Sequence, residues 1–246
     1  MARGLPHGRP RPRNAESHPL SKGICLDHHI GAKDRTAFIR ANTRLMDVPH
    51  APEIRLHLAD EAFSLWHRTE EELEALGLPA PFWAFAWAGG QALARYVLDN
   101  KALAAGRRVV DVGSGSGLVA IAAARAGAAH VLAADPDPFT PAAIALNAAA
   151  NGVQVETTTE DLLDDAPPPC DLLLIGDMFF DREIAPRMER FARRALAAGA
   201  DVLIGDPGRA YLPRERLEQL ASYEVPVSRA LEDNDVKRTR VWRVKA

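Results

Sequence analysis

The chain has 246 residues, 47% of them hydrophobic and 26% charged, with a net charge of −3. That is apolar material enough for a substantial core, which excludes a wholly disordered chain. No run approaches the ~18 apolar residues of a membrane span, and the slightly acidic balance argues against a dedicated nucleic-acid binder. The two cysteines, Cys25 and Cys170, lie far apart and outside any CxxC pair. That excludes a disulfide framework and a structural zinc site, and implies a reducing compartment. No metal ligand set is expected, because the adjacent His28 and His29 point in different directions and have no partner cluster.

Residues 1–35 carry a local charge of +4, and Pro6, Pro10, Pro12 and Pro19 fall within the first twenty. Without apolar periodicity this segment reads as a disordered basic tail; its prolines spoil an amphipathic transit helix, and it has no secretory apolar region. Residues 36–106 form an N-terminal extension. Ile54, Leu56 and Leu58 alternate with Arg55 and His57, the pattern of a half-buried strand. A helix over 62–76 follows, with Phe63, Trp66, Leu73 and Leu76 at helical spacing and a glutamate-rich outer face. Gly77, Pro79 and Pro81 close it. An aromatic cluster of Phe82, Trp83, Phe85 and Trp87 leads through Gly89-Gly90 to a helix near 91–100.

Residues 107–246 read as one core unit. Strands are expected at 109–112, 130–135, 153–158, 171–175 and 201–205, alternating with helices at 117–126, 138–150, 183–197 and 213–221. Two further strands, 223–228 and 238–244, are too close in sequence for a helical crossover and should pair antiparallel. The expected fold is α/β: a doubly wound, mostly parallel seven-stranded sheet with a C-terminal antiparallel strand.

Asp111-Val112-Gly113-Ser114-Gly115-Ser116-Gly117 falls between a strand and a helix. Closely spaced glycines let a ligand meet backbone with no Cβ in the way, at the strand end where such sheets bind ligands. Dinucleotide spacing, GxGxxG, needs Gly or Ala at the position of Leu118. A nicotinamide oxidoreductase is therefore disfavoured, and the chain also lacks a second nucleotide-binding half. Asp135, at the end of the next strand, is placed to accept the ribose hydroxyls of a nucleoside, with Asp137 the second choice.

The GxGxG spacing, with Asp111 two residues before the first glycine, resembles motif I of the class I, seven-strand S-adenosylmethionine-dependent methyltransferases. That resemblance implies cofactor-binding roles for Asp111, Gly113, Ser114, Gly115, Gly117 and Asp135. It also places Asp161, after the third core strand, against the adenine amino group. Three further segments narrow the likeness: Trp83 to Leu93, Gly176 to Asp181 and Leu203 to Arg209. Together they resemble the electron transfer flavoprotein β-subunit lysine methyltransferases over about residues 36–245.

The resemblance implies S-adenosylmethionine as methyl donor, S-adenosylhomocysteine as product, no metal, and the flavoprotein β-subunit as partner. A lysine nucleophile starts protonated, near a pKa of ~10.4, and must lose a proton before attack. Asp177, at a strand end beside the glycine loop, is the catalytic candidate: an acid that holds the arriving ammonium. Trp87 joins the cofactor-binding set. Phe179, Phe180 and Trp87 are expected to shape an aromatic channel that tolerates a cation and excludes water, and Asp206 and Arg209 to face the substrate. This chain has Trp87-Ala88-Gly89 where the family often has Trp-Pro-Gly, and Phe180 where it often has Tyr.

A base-modifying methyltransferase would often carry prolines after the fourth core strand, where this chain reads Asp177-Met178-Phe179-Phe180. A ribosomal protein L11-type methyltransferase is the nearest alternative, on the glycine loop. A non-catalytic binding module that kept the cofactor fold is the alternative from another class. The Ala- and Arg-rich composition fits a GC-rich bacterial coding sequence and hence the cytoplasm; a eukaryotic chain would belong in an organellar matrix.

Overall fold

A computed structural model describes residues 32–59, 80–227 and 235–245. The helix expected over 62–76, with Trp66, and nearly all of the tail lie outside the described residues. The described chain opens with helix α1 (Ala32–Asn42), which begins inside the segment assigned to the tail. Strands β1 (Arg44–Val48) and β2 (Ala51–Leu58) then pair antiparallel as a separate two-stranded sheet. Ile54, Leu56 and Leu58 are buried, as the alternation requires.

A short turn of 3-10 helix at Phe82–Ala84 precedes helix α2 (Ala88–Asp99). The core continues as β3 (Arg108–Val112), α3 (Leu118–Arg125), β4 (His130–Ala134), α4 (Thr140–Ala150) and β5 (Glu156–Thr158). Then come β6 (Leu172–Gly176), α5 (Ile184–Ala197), β7 (Asp201–Asp206), β8 (Leu217–Pro226) and β9 (Val236–Val244). The sheet order is β5-β4-β3-β6-β7-β9-β8, parallel from β5 through β7 and antiparallel at both β9 pairings.

Both faces of this sheet are covered, and the strand sequences show why. Leu173 and Ile175 join Val110, Val202 and Ile204 under Met188 and Phe191 of α5. Leu172 and Leu174 point the other way and pack with Val109 and Leu203 beneath α2 and α3. A parallel strand buried on both faces needs an unbroken apolar run, which Leu172 to Ile175 supplies. Because β4 and β6 flank β3 on opposite sides, the chain reverses its winding at β3. The crevice at the carboxyl ends of β3 and β6 is the place where such sheets take ligands.

The helix expected over 213–221 does not form. Only Arg214–Arg216 turns, as a 3-10 segment, and Leu217 begins strand β8. Arg, Glu, Leu and Gln favour a helix intrinsically, but the segment is drawn into a ladder against β9 from Leu217↔Val244 to Pro226↔Val236. Pairing with a strand that also binds β7 outweighs a propensity of tenths of a kcal/mol per residue.

Candidate active site

The carboxyl edge of the sheet gathers four acidic residues and the glycine loop. Asp111, next to last in β3, is buried; its Oδ2 accepts from the Ser114 hydroxyl at 2.6 Å and the Ala120 N–H at 3.0 Å. Asp111 and Ser114 therefore clamp the loop to the start of α3, and the Ser114 hydroxyl points inward to the acid. Gly113, Gly115 and Gly117 have φ of 68, 49 and 80°, the left-handed region that suits glycine. A Cβ on Gly113 would run into the Met178 thioether, and one on Gly117 would meet Ile144 Cγ1 at 2.9 Å.

Asp135 follows β4 and sits partly exposed beside the loop. Its Oδ2 accepts the Gly115 N–H at 2.8 Å and its Oδ1 accepts the Asp137 N–H at 3.0 Å. Burial raises the Asp135 carboxyl above its usual range, against the pull of these N–H donors. Asp137 accepts from the Phe139 N–H and is pushed up to about 6, by burial first and by the neighbouring Asp135 charge. Asp161 is exposed; it caps a short turn through the Leu163 N–H and forms an ion pair with Arg187 of α5 at 2.9 Å.

Asp177 follows β6 and is the one non-glycine with positive φ, 61°, among the described residues. Its side chain is almost wholly buried. Oδ2 accepts the Gly89 N–H at 2.8 Å, Oδ1 accepts Arg209 Nε at 2.6 Å, and its own N–H donates to the Gly205 carbonyl at 2.9 Å. A left-handed Asp stores ~1–2 kcal/mol of local strain, held here by three surrounding segments. Aspartate is among the few side chains that accept this conformation with modest strain.

Three sequence expectations change on this geometry. Phe179 does not line a channel: it is 0% exposed and packs in the core with Met188 and Phe191. Asp206 is likewise 0% exposed, with Oδ1 accepting the Gly208 and Arg209 N–H groups at 2.6 and 2.7 Å. Alternation along an irregular turn is not readable from sequence, so only one of the two phenylalanines expected at the channel reaches it. Phe180 is the exposed one, at 41%, and its ring lies 5.7 Å from that of Phe82, itself 48% exposed. Phe82 also meets Trp87 edge-on at 5.8 Å and accepts the Trp87 indole N–H at 3.0 Å. Arg209 faces Asp177 rather than standing free toward a substrate.

Three contributors had no sequence assignment. Phe82 forms the outer wall of the aromatic rim. Gly89 permits closure: a Cβ there would lie 2.3 Å from the Gly205 carbonyl and 2.7 Å from the Asp177 nitrogen. Asn147 on α4 is fully buried and bridges the Ser116 carbonyl of the glycine loop to the His57 N–H of β2. For Gly89 the paired glycines before the helix are the signal that could have pointed to a close approach; nothing in the sequence marks Asn147.

The acids also make stability depend on pH. Burial lifts the Asp111 carboxyl to about 7, despite the Ser114 and Ala120 donors. Between about pH 4 and pH 7 the folded chain therefore holds a proton that the unfolded chain has lost, and this group's contribution falls as pH rises. His50 and His57, both lowered by burial, act in the opposite sense. The difference between wild type and Asp111→Asn isolates the acid. The variant's urea midpoint, relative to wild type, should rise from pH 5 to pH 8, and a flat difference would contradict the assignment.

Residues 91–173 match the ribosomal protein L11 methyltransferase (PrmA) family. Over a much longer stretch the chain is 36% identical to the electron transfer flavoprotein beta subunit lysine methyltransferase of Mus musculus, across 227 residues covering 89% of this chain and 86% of that protein. The chain belongs to the electron transfer flavoprotein β-subunit lysine methyltransferase family. The member from Danio rerio is 37% identical over 242 residues, 93% of each chain. By contrast, the ribosomal protein L11 methyltransferase of Symbiobacterium thermophilum shares 44% identity over 99 residues, 38% of this chain. A solved ribosomal protein L11 methylase from Lactobacillus delbrueckii subsp. bulgaricus is 22% identical, with a TM-score of 0.48 over 66% of this chain and 81% of that one. As a family member the chain is an enzyme of the methyltransferase class. The L11 family match ends at residue 173, while the likeness to the lysine methyltransferases runs on through the segments that carry Asp177 and Asp206.

Proposed function

We propose that this chain transfers methyl groups from S-adenosylmethionine to lysine side chains of the electron transfer flavoprotein β-subunit. The observation that carries the reading is Asp177, a nearly buried acid in a strained conformation at the switch point, one strand from the glycine loop. The residues present suit the donor. The loop of Gly113, Gly115 and Gly117 gives a backbone surface without side chains, and Asp135 stands at its rim with carboxylate lone pairs left for ribose hydroxyls.

When bound, S-adenosylmethionine supplies an activated methyl group on a sulfonium, and displacement there needs alignment but no covalent enzyme intermediate. The chain's own part is to hold and desolvate the amine. Asp177 attracts the arriving ammonium with a carboxylate fixed by Gly89 and Arg209. Phe82, Phe180 and Trp87 form a rim of rings that tolerates a cation and excludes water. Loss of water then favours the neutral, nucleophilic amine. Among the described residues no helix is long and apolar enough to cross a membrane, and the setting we propose is the cytoplasm.

The direct test is transfer of labelled methyl to purified electron transfer flavoprotein, with ribosomal protein L11 alongside and peptide mapping of the product. Label on β-subunit lysines supports the reading, and label on L11 alone replaces it. Cofactor binding has its own check. Asp135→Ala should weaken S-adenosylmethionine by about ten- to a hundredfold in calorimetry, since charged hydrogen bonds are worth ~1.5–3 kcal/mol. An unchanged affinity would remove Asp135 from the site.

A further inference from the structure

Asp206 has one oxygen that the local structure explains and one that it does not. Gly176 and Gly205 are in register on the parallel strands β6 and β7, so the next residues, Asp177 just past β6 and Asp206 at the end of β7, are neighbours at the sheet's carboxyl edge. Oδ1 of Asp206 fixes the turn over 206–209 by accepting two backbone N–H groups. Oδ2 is buried and has no hydrogen-bond partner among the described residues. An uncompensated buried carboxylate oxygen is unfavourable for folding, and such groups concentrate where function requires them. The adjacent cation, Arg209, gives its Nε to Asp177. Burial and the Asp177 charge both oppose ionisation of Asp206, while its two N–H donors and the Arg209 charge favour it.

Resting on the lysine reading above, we propose that Asp206 is a positioning residue for the target ammonium: it swings Arg209 onto Asp177 through its turn, and its own charge deepens the negative field at Asp177 that receives the substrate cation. The substrate does not touch Asp206, which has no exposed surface. Two roles are separable because they use different features of the side chain. The turn needs an acceptor at Oδ1; the field needs the charge. Asparagine keeps the first and removes the second.

The experiment is a double-mutant cycle between enzyme and substrate. Wild type and Asp206→Asn are compared on electron transfer flavoprotein carrying either the mapped target lysine or methionine in its place. Asp206→Asn should fold, melt at or above the wild-type temperature, and bind S-adenosylmethionine within twofold of wild type. Its KM for the lysine substrate should rise on the order of tenfold, with kcat changed less than threefold, because charges a few Å apart in a partly buried site interact strongly. Changing lysine to methionine should weaken binding about tenfold to wild type and little to the variant. An equal loss for both enzymes, or an unchanged KM, overturns the proposal while leaving the substrate reading intact. A fall in kcat and in cofactor affinity together would show a turn cap and nothing more, and would also overturn it. No methylation of the flavoprotein by wild type would sink the substrate reading and this inference with it.

Discussion

Gly89→Ala is expected to lower the melting temperature by roughly 6–12 °C and to abolish most methyl transfer. The added Cβ would meet the Gly205 carbonyl at 2.3 Å and the Asp177 nitrogen and Cβ at 2.7 and 2.9 Å. These are backbone atoms or atoms next to backbone, in two neighbouring strands at their most rigid point. Relief requires α2 to lift from the sheet, and overpacking of this kind costs about 3 kcal/mol or somewhat more. The same movement breaks the Gly89 N–H bond to Asp177 Oδ2, so stability and activity fall together. Gly90→Ala, one residue along the same helix, is the control. Its Cβ would find Leu118 and Val119 at 3.8 Å, an ordinary contact, and its effect should be neutral to stabilising by ~0.4–1 kcal/mol. Thermal melts of the two variants decide the matter, and equal effects would mean that the close approach of α2 to β7 is wrong.

That contrast also marks what can and cannot be read from sequence. The central strands were legible because strands buried on both faces need continuous apolar runs: Leu172 to Ile175 is one, and Val109 to Val112 is broken only by the acid that holds the glycine loop. The glycine loop and Asp135 were legible because spacing alone states the backbone requirement. Strand β8 was legible only in its second half, from Tyr223, since Arg214 to Leu220 carries residues that favour a helix until β9 supplies a partner. Hairpin β1–β2 was half seen: β2 alternates, but four of the five residues of β1 are exposed and give no pattern. At the site, residue types were easier to read than directions. Phe179 and Phe180 are chemically alike and adjacent, and only the turn after β6 decides which one meets solvent. Asp206 and Arg209 were seen as substrate contacts, because sequence shows a polar loop but not that Asp206 Oδ1 turns back to the loop's own N–H groups and Arg209 turns to Asp177. Gly89 and Gly90 look identical in sequence, yet one lies against β7 and the other faces ordinary packing.

Asp177→Asn is the second large effect expected, and it bears on chemistry rather than folding. Asparagine accepts the left-handed conformation at φ 61° almost as readily as aspartate, and its carbonyl oxygen can still receive the Gly89 N–H. What it loses is the charge that Arg209 pairs with and that a lysine ammonium would meet. Methyl transfer should fall about a hundredfold or more, the scale on which loss of alignment lowers a displacement rate. S-adenosylmethionine affinity should stay within a few-fold, because the contacts proposed for the donor, the glycine loop and Asp135, follow β3 and β4. Asp177→Ala should be worse in a distinct way: it adds left-handed strain of ~1–2 kcal/mol and leaves the buried Gly89 N–H without its acceptor. The pair therefore separates a rate defect with a stable fold from a rate defect with a weakened one. Single-turnover rates with calorimetric cofactor affinities and melts for both variants make the test. Asp177→Asn working at the wild-type rate would falsify the assignment, and would move the search for the amine-holding group to the aromatic rim.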